Sequence, residues 1–326
     1  MKARNSLVFT ALTIAILLLF GTGVGYCKWP TKQLNIIVPY GAGGTTDRVV
    51  RVLAPFLEKE LGVPVVPVNR PGGGSIVGTK AHLINDPSDG SFIVYTIQPY
   101  LSGAVVKGAF KLEDFDYFGL NYYSPQGLWV NAKTGKYKTA EDLFKAIQAQ
   151  PGKIRISVIP NSWSRAAAAL LSERLGASIK EIPYEGGGKQ RMAVIKKEVD
   201  FTVTEIHGTL AAAAEDMACL AVFAKKPVPE VANVPLINDK MKALRMAPLP
   251  NISNTRFFLV KPAFRKTYPD RFNMLNTAIE KAFKNPELVE IMKKQKLDIS
   301  WMSPDETKAE IYESDAVAQK FAQFWK

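Results

Sequence analysis

Two glycine-rich loops carry the residues of this sequence that are best suited to binding a small molecule. The first, Gly41–Gly44, follows the apolar run Leu34–Val38 and precedes Thr45, Thr46 and Asp47. The backbone N–H groups of such a loop, and those at the start of the helix after it, have no partner within the helix and attract an anion. The pattern therefore predicts an anion site at the carboxyl end of a strand.

A second loop, Asn69–Ser75, follows another strand candidate, Val63–Val68, and a third strand is predicted at Phe92–Thr96. Helical patterns follow both loops. The repeated order of strand, loop and helix indicates an α/β domain with a largely parallel sheet, whose ligands bind at the carboxyl ends of the strands. Pro64 and Pro67 place the second strand near a sheet edge, because proline cannot donate a hydrogen bond to a central ladder.

The α/β order starts again after Phe115–Val130, a stretch of aromatic and short apolar segments without a clear period. A helix is predicted at Thr139–Gln150, and strands are predicted at Ile154–Ile159 and Phe201–Thr204. The chain has 326 residues, which exceeds the usual size of a single core, roughly 100 to 200 residues. We therefore expect two domains of similar construction.

Local signals predict several helix boundaries. Asn285 and Pro286 suit an N-cap and the first helical position, and Ser303–Glu306 has the order of a capping box. Pro55 is expected to kink or shorten the first helix, because it lacks a backbone N–H.

The N-terminus predicts export to the periplasm. Lys2 and Arg4 precede the apolar run Leu7–Phe20, and small residues follow, which is the order of a secretory signal peptide covering residues 1–27. The run is shorter than the roughly 20 residues of a spanning helix. An uncleaved membrane anchor and a lipid anchor on Cys27 are the alternatives.

Cysteine content and charge argue against other classes of protein. Cys27 and Cys219 are the only cysteines, so no internal disulfide is expected after processing. The formal net charge is +12, or +10 once the two basic residues of the signal are removed. The basic residues are dispersed, and their densest cluster, at 293–296, has no interleaved aromatics, so no nucleic-acid partner is expected.

The loops do not match the common enzyme signatures. Thr46 stands at the last glycine position of a dinucleotide fingerprint, and Gln190 stands where a phosphate-binding loop requires Ser or Thr. Val77 replaces the second glycine of a nucleophile elbow. These departures argue against nucleotide binding and serine hydrolysis.

Few titratable residues are placed for catalysis or metal binding. His82 and His207 have no Cys or His neighbours in the sequence, so neither a metal site nor a cofactor is expected. Glu205, near the end of a predicted strand, has the chemistry to accept a proton or a ligand amine. Asp47 is better suited to a helix start and to organising the loop than to acting as a general base.

The run from Ile36 to Gly78 resembles the opening of the tripartite tricarboxylate transporter substrate-binding proteins, also called the Bug family. One hallmark of that family is a Pro, aromatic, x, Ala, Gly, Gly, x, x, Asp loop, present here as Pro39–Asp47. Another is an Asn, Arg, Pro, Gly, x, Gly loop, present as Asn69–Gly74. The likeness covers nearly the whole chain after the signal, through Ile182–Gly187 and Val199–Phe201 to Ser303 and Pro304.

The resemblance implies an α/β, two-domain periplasmic-binding-protein fold of the Venus-flytrap, type II-like kind, with two strands crossing between the domains. Domain 1 would comprise residues 28–130 and 254–326, and domain 2 residues 131–253. It also implies a monomeric extracytoplasmic protein that traps a small organic carboxylate in the cleft and presents it to membrane permease subunits. An exported ligand sensor for a membrane kinase and an exported enzyme acting on a carboxylate remain the alternatives.

Carried over by position, the resemblance gives a set of ligand contacts from the first domain: Tyr40, Gly41, Ala42, Gly43, Thr45, Thr46 and Asp47, supported by Gly74 and Ser75. Hydroxyls, backbone amides and a helix N-terminus can bind a carboxylate without an arginine. The candidate contacts from the second domain are Ser162, Trp163, Ser164, Arg165, Tyr184, Thr204 and Glu205.

The second-domain loop departs from the family pattern, because its glycines are replaced and Ala166 stands at the position of a family histidine. Thr204 likewise stands where an aspartate is frequent. One hypothesis is that Arg165 pairs with a second carboxylate of the ligand or that Trp163 stacks on an aromatic ring. The alternative is that Trp163 packs near the hinge and Arg165 extends toward solvent.

Overall fold

A computed structural model describes residues 29–295, 297 and 299–324 of the chain. The predicted signal peptide and Cys27 lie outside the described residues. The strands are β1 (Leu34–Val38), β2 (Val65–Asn69), β3 (Phe92–Gln98), β4 (Asp116–Asn131), β5 (Arg155–Val158), β6 (Lys180–Pro183), β7 (Phe201–Glu205), β8 (Met217–Phe223) and β9 (Ser253–Val260). The helices are α1 (Thr45–Leu61), α2 (Ile76–Asn85), α3 (Tyr100–Val106), α4 (Ala140–Ala149), α5 (Trp163–Leu175), α6 (Gly187–Ile195), α7 (Ile206–Ala213), α8 (Ile237–Ala243), α9 (Pro262–Thr267), α10 (Pro269–Lys284), α11 (Pro286–Lys294) and α12 (Pro304–Gln319).

The first half of the fold is built on the strand order β2-β1-β3-β9-β4. Strand β1 pairs in parallel with β2 and β3, whereas β9 is antiparallel to both β3 and β4. The sheet is therefore mixed, where the sequence predicted a largely parallel one. The predicted edge position of the second strand is confirmed, since β2 is the terminal strand of this order.

Strand β4 connects the two halves. Its first part, Asp116–Pro125, pairs with β9, and its second part pairs with both β7 and β8 from Gln126 onward. Strand β7 also pairs in parallel with β5, and β5 pairs in parallel with β6. This long strand falls in the stretch 115–130, to which the sequence assigned no element.

Separate apolar clusters lie on the two halves. Residues of β1, α1, β3 and α10 form one cluster, and residues of α4, β5, α5 and β7 form another. The last helix, α12, contributes to both halves, because Ile311 packs with β3 and β9 residues and Ala318 joins the cluster around α5. The domain boundaries given above remain a prediction.

Several helix boundaries agree with the local signals. Asn285 caps α11 by accepting from two backbone N–H groups, and the side chains of Ser303 and Glu306 form the predicted reciprocal bonds at the start of α12. The expected shortening of the first helix at Pro55 is wrong, since α1 runs through it to Leu61. Pro55 is exposed, so the carbonyl that loses its helical partner there is open to water. Among the described helices, none combines the length and apolarity needed to cross a membrane.

Candidate ligand-binding site

The first glycine loop is held by Asp47, in the first turn of α1. Its carboxylate accepts hydrogen bonds from Gly43 N at 2.9 Å, from Arg51 Nε at 2.9 Å and from Asn69 Nδ2 at 3.0 Å. Although burial alone would raise the pKa of Asp47, the bonds from Arg51, Gly43 and Asn69 lower it below its usual value. Asp47 therefore ties the first loop to the start of the second and fixes the N-terminus of α1.

The second glycine loop contacts the opposite half of the fold. Gly74 has φ +62°, and a Cβ atom there would lie 1.9 Å from the carbonyl oxygen of Pro160. The side chain of Asn161 donates to the carbonyl oxygen of Gly73 at 2.7 Å. Glycine is required at position 74 both for this backbone conformation and for this close approach.

The first glycine loop approaches the other half through backbone atoms. A Cβ atom on Gly186 would lie 3.2 Å from Gly41 N, and one on Gly188 would lie 3.2 Å from the carbonyl oxygen of Gly43. The N-terminal ends of α1 and α6 therefore meet across the cleft.

These contacts enclose a cavity of about 20 Å³, which is enough for one water molecule. It is lined by Tyr40, Gly44, Thr45, Thr46, Ile97, Tyr100, Ile159, Gly187, Thr204, Glu205, Asn254 and Arg256. The structure thus brings together five of the predicted contacts: Tyr40, Thr45, Thr46, Thr204 and Glu205. A ligand of several carbon atoms enters only when the two halves separate.

An ion pair between Glu205, at the end of β7, and Arg256, on β9, lies beside this cavity. The two residues are 4% and 1% exposed. Arg256 Nη2 donates to Glu205 Oε2 and Arg256 Nε donates to Thr46 Oγ1 at 3.2 Å, while the guanidinium lies 3.9 Å from the centre of the Tyr122 ring. Asn254 Nδ2 donates to the same carboxylate at 3.3 Å. Burial alone would raise the pKa of Glu205, but the Arg256 guanidinium holds it below its usual value.

Two tyrosines close the apolar side of the cavity. Tyr40 and Tyr100 meet edge to face with ring centroids 5.1 Å apart, and the hydroxyl of Tyr40 lies 2.9 Å from Thr96 Oγ1. Burial raises the pKa of both phenols well above the usual value. Both hydroxyls are therefore neutral and available as hydrogen-bond donors at physiological pH.

The remaining first-half candidates lie outside this lining. Ala42 and Gly43 are exposed, and Gly41 is half-buried, on the outer part of the first loop. Gly74 and Ser75 are buried where the second loop meets Pro160. These five residues do not line the cavity in this arrangement, and neither does Asp47, whose carboxylate is occupied by Gly43, Arg51 and Asn69.

The second-domain loop that departs from the family pattern makes hydrogen bonds within itself. Ser162 Oγ lies 2.6 Å from both the Ile159 carbonyl oxygen and Ser164 Oγ, and Ser164 Oγ accepts from Ile159 N at 3.0 Å. Both serines therefore hold the start of α5 and do not line the cavity.

The two large side chains of the same loop are also directed elsewhere. Trp163 is 4% exposed in the apolar cluster of the second half, and its Nε1 donates to the Ser253 carbonyl oxygen at 2.8 Å. Arg165 pairs with Glu181 on β6 at 3.5 Å. These positions favour the packing alternative over ligand contact. Tyr184 likewise lies away from the cavity, and its hydroxyl donates to Glu198 at 3.0 Å.

A second, larger cavity of about 830 Å³ shares no lining residue with the first. Trp163 and His207 line it, together with charged residues of both signs: Lys225, Lys226, Glu230, Glu310 and Glu313. His207 Nδ1 lies 2.9 Å from Ser124 Oγ, and its Nε2 lies 3.4 Å from Glu230 Oε1. His207 therefore lines the larger cavity, whereas Glu205, two positions earlier in the sequence, lines the smaller one. No cluster of three or more His, Cys, Asp or Glu side chains in the described part of the chain is placed to hold a metal ion.

Sequence reasoning missed Arg256 and Asn254, which complete the cavity from β9. The apolar run Phe257–Val260 predicts a strand that begins only after both residues. The sequence signal that could have indicated Arg256 is an arginine directly before an apolar strand. Such an arginine is expected to be buried with the strand, and a buried guanidinium requires a partner. Its partner lies 51 positions away in the sequence, a distance over which local patterns carry no information.

Comparison with known proteins identifies the family. A family model described as "Tripartite tricarboxylate transporter family receptor" matches residues 49–322. The chain belongs to this family. The resemblance found in the two glycine loops is thereby confirmed, and the receptor's fold is that of periplasmic binding proteins.

Curated relatives of this receptor include Protein BugT of Bordetella pertussis, 31% identical over 49% of this chain and 50% of that protein. The chain thus matches half the length of BugT. A UPF0065 protein from the tcbD-tcbE intergenic region of Pseudomonas sp. strain P51 is 26% identical over 88% of this chain and 84% of that protein.

Solved structures share the fold at low sequence identity. The periplasmic binding protein BugD has a TM-score of 0.77 at 20% identity, covering 91% of this chain and 97% of its own. MatC of Rhodopseudomonas palustris, solved with bound malate, has a TM-score of 0.79 at 19% identity, covering 91% and 100%. The R. palustris protein Rpa4515, solved with adipate, has a TM-score of 0.77 at 20% identity, covering 91% and 98%.

Proposed function

We propose that this receptor captures a small organic carboxylate in the cleft between its two halves and delivers it to a tripartite tricarboxylate-type membrane permease. The observation that carries the proposal is the position of the cavity. It lies between the halves, at the N-terminus of the 17-residue helix α1, with the Arg256 guanidinium fixed beside it. A helix N-terminus and a preorganised guanidinium are both favourable for a carboxylate.

The contacts across the cleft suit a binding cycle. The touching segments include glycine backbones and the loop at Pro160 and Asn161, and Ile159 packs in the apolar cluster of the first half. A ligand bound to the α1 side would then be covered by Gly187 and Thr204 from the other half. The permease would receive the ligand by favouring the separated form.

The two relatives solved with malate and adipate support a carboxylate as the ligand class. An enzyme acting on a carboxylate is less well supported. Glu205 is the carboxylate among the described lining residues, and its ion pair with Arg256 keeps it ionised and weakly basic, which is unsuited to proton abstraction. The proposal therefore includes no catalytic residue, cofactor or metal, and it includes export to the periplasm and a monomeric protein.

Calorimetry and thermal-shift measurements with malate, adipate and citrate test the binding step. Binding of at least one of them should raise the melting temperature, because a ligand bound only to the folded protein stabilises it. The carboxylate assignment fails if none of them binds while uncharged solutes do. Turnover of a bound compound would instead support an enzyme.

Delivery is tested by uptake of the radiolabelled ligand in cells that lack the receptor gene. Uptake should return with the wild-type gene. The sensor alternative would be supported if the deletion left uptake unchanged but abolished the transcriptional response of the cells to the ligand.

A further inference from the structure

Arg191, on α6, carries a buried guanidinium and is not among the residues that line the cavity. The residue is 2% exposed, and neither Nη1 nor Nη2 makes a hydrogen bond to any residue that the structure describes. Burying a guanidinium without partners is costly. The fold keeps it at the junction of the two halves nevertheless.

A second arginine approaches from the other half. Arg48, on α1, donates from Nη2 to Gln295 Oε1 at 3.2 Å, but its Nη1 is buried with no partner among the described residues. Burial lowers the pKa of Arg191, the charge on Glu205 opposes this effect, and the positive charge of Arg48 adds to it. Each half of the fold therefore holds an arginine with a buried N–H group that has no partner among the described residues.

The charges around this junction do not balance. Arg48, Arg191 and Arg256 contribute three positive charges, whereas Glu205 contributes one negative charge and is already paired with Arg256. The nearby carboxylate of Asp47 is bound by Arg51. An excess of two positive charges is left where the two halves meet.

Arg191 lies next to the cavity, and Arg48 belongs to the first turn of α1, whose Thr45 and Thr46 line it. Arg48 follows the lining residues Thr45 and Thr46 on α1, and Arg191 Nη1 lies 3.2 Å from the position of a Cβ on the lining residue Gly187. One guanidinium thus comes from each side of the cleft, and separation of the halves would expose both to an entering ligand.

We propose that Arg48 and Arg191 form a subsite for a second anionic group, so that the receptor selects a dianion over a monoanion of the same length. This inference rests on the proposed function, because it places the ligand in the same cleft. Two negative charges on the ligand would neutralise the junction when the halves close. This chain would thus recognise its ligand by charge in addition to backbone amides and hydroxyls.

The test compares adipate with its monoamide by calorimetry on the wild-type receptor and on Arg191→Met. Methionine keeps much of the volume and removes the charge. Lys189→Gln is the matched control, since it removes a positive charge from the same helix at an exposed position paired only with Glu185 in the described contacts. Losing a charge-assisted contact should lower the adipate affinity of Arg191→Met about 10- to 100-fold. Its affinity for the monoamide, and both affinities of the control, should change less than about threefold.

A second measurement separates a binding role from a structural one. Without ligand, Arg191→Met should melt at or above the wild-type temperature, because it removes an unbalanced buried charge. A lower melting temperature together with equal losses for adipate and its monoamide would overturn the subsite and make Arg191 a structural residue. Equal wild-type affinities for the two compounds would also overturn it while leaving carboxylate capture intact.

Sulfate provides an arm that does not depend on carboxylate binding. At constant ionic strength, sulfate in place of chloride should raise the melting temperature of the wild type and of Lys189→Gln by more than that of Arg191→Met, because the general stabilisation by sulfate acts on all three proteins alike. If no carboxylate binds, the proposed function fails. The sulfate measurement still tests the anion subsite, because equal shifts of the melting temperature in all three proteins would contradict it.

Discussion

Arg256 and Glu205 come from strands 51 positions apart and form a buried ion pair where the two halves of the receptor meet. Arg256 also donates to Thr46 on α1, so one guanidinium links β9, β7 and the helix that begins the binding loop. The pair thus holds β7, β9 and the start of α1 together on one side of the cavity. Its importance lies in this arrangement, because a buried pair as such adds little net stability.

Replacing Glu205 by Gln should leave Arg256 as an uncompensated buried charge. We expect the free energy of unfolding to fall by about 3–5 kcal/mol, measured by urea denaturation. Adipate affinity should rise in the same variant, because a negative charge next to the ligand is removed. Glu173→Gln is the control, since Glu173 is paired with Arg174 at an exposed position, and its effect should stay below about 1 kcal/mol. Equal losses in the two variants would contradict the role given to the buried pair.

Closure of the cleft is tested at Gly103. This residue lies within α3, and a Cβ atom there would lie 2.6 Å from the Cβ of Asn161 in the opposite half. Gly103→Ala should therefore disfavour the closed arrangement while leaving α3 intact, since alanine favours a helix over glycine by up to about 1 kcal/mol. Overpacking typically costs about 1–3 kcal/mol, so calorimetry should show a roughly 5- to 150-fold loss of ligand affinity.

The melting temperature of ligand-free Gly103→Ala provides the control for this prediction, and it should match or exceed the wild-type value. Small-angle scattering with saturating ligand should show a larger radius of gyration for the variant. Unchanged affinity would mean that Gly103 and Asn161 do not meet in the bound form.

The opening unit of the fold could be predicted because its signals are local. The apolar run Leu34–Val38 is β1, residue for residue, and the glycine loop ends where α1 begins at Thr45. A strand buried on both faces followed by a glycine turn leaves few alternatives. The caps at Asn285 and Ser303 were predictable for the same reason.

Strand β4 could not be predicted from its own pattern. The residues from Tyr117 to Asn131 whose burial the structure describes are all buried, including Gly119 and Leu120, where the register with β9 shifts. Alternation of apolar and polar residues, which marks a half-exposed strand, is therefore missing. The part of the cavity formed by the first loop could be predicted, because hydroxyl residues next to glycines are typical of a binding loop. The positions of Arg256 and Arg191 could not be predicted, because they depend on contacts between residues far apart in the sequence.

Arg165 tests whether the altered loop sets specificity. Its ion pair with Glu181 is partly exposed, with 32% and 35% of the two side chains accessible. Arg165→Ala should therefore cost less than about 1 kcal/mol of stability. Ligand affinity measured by calorimetry should be unchanged within about threefold, in contrast to Arg191→Met. A tenfold or larger loss would restore Arg165 as a contact for a second carboxylate.

His82, on α2, should make stability depend on pH. Burial lowers the pKa of His82 to about 4, although the Asp86 carboxylate opposes the shift and the charges of Lys261 and Arg70 add to it. The folded protein keeps this imidazole neutral between pH 6.5 and 4, whereas the unfolded chain binds a proton there. The free energy of unfolding should therefore fall as the pH drops through this window, by about 3 kcal/mol in total, and this contribution should be complete below pH 4.

Urea denaturation of the wild type and of His82→Asn at pH 7, 6, 5 and 4 measures this contribution. Asparagine keeps a donor near Asp86, whose Oδ2 lies 3.1 Å from His82 Nδ1 and also accepts from Arg70 at 2.7 Å, but it does not titrate. The stability difference between wild type and variant should shrink steadily from pH 7 to pH 4, because the variant lacks the proton uptake on unfolding. Parallel pH profiles for the two proteins would show that His82 is not held neutral by its burial.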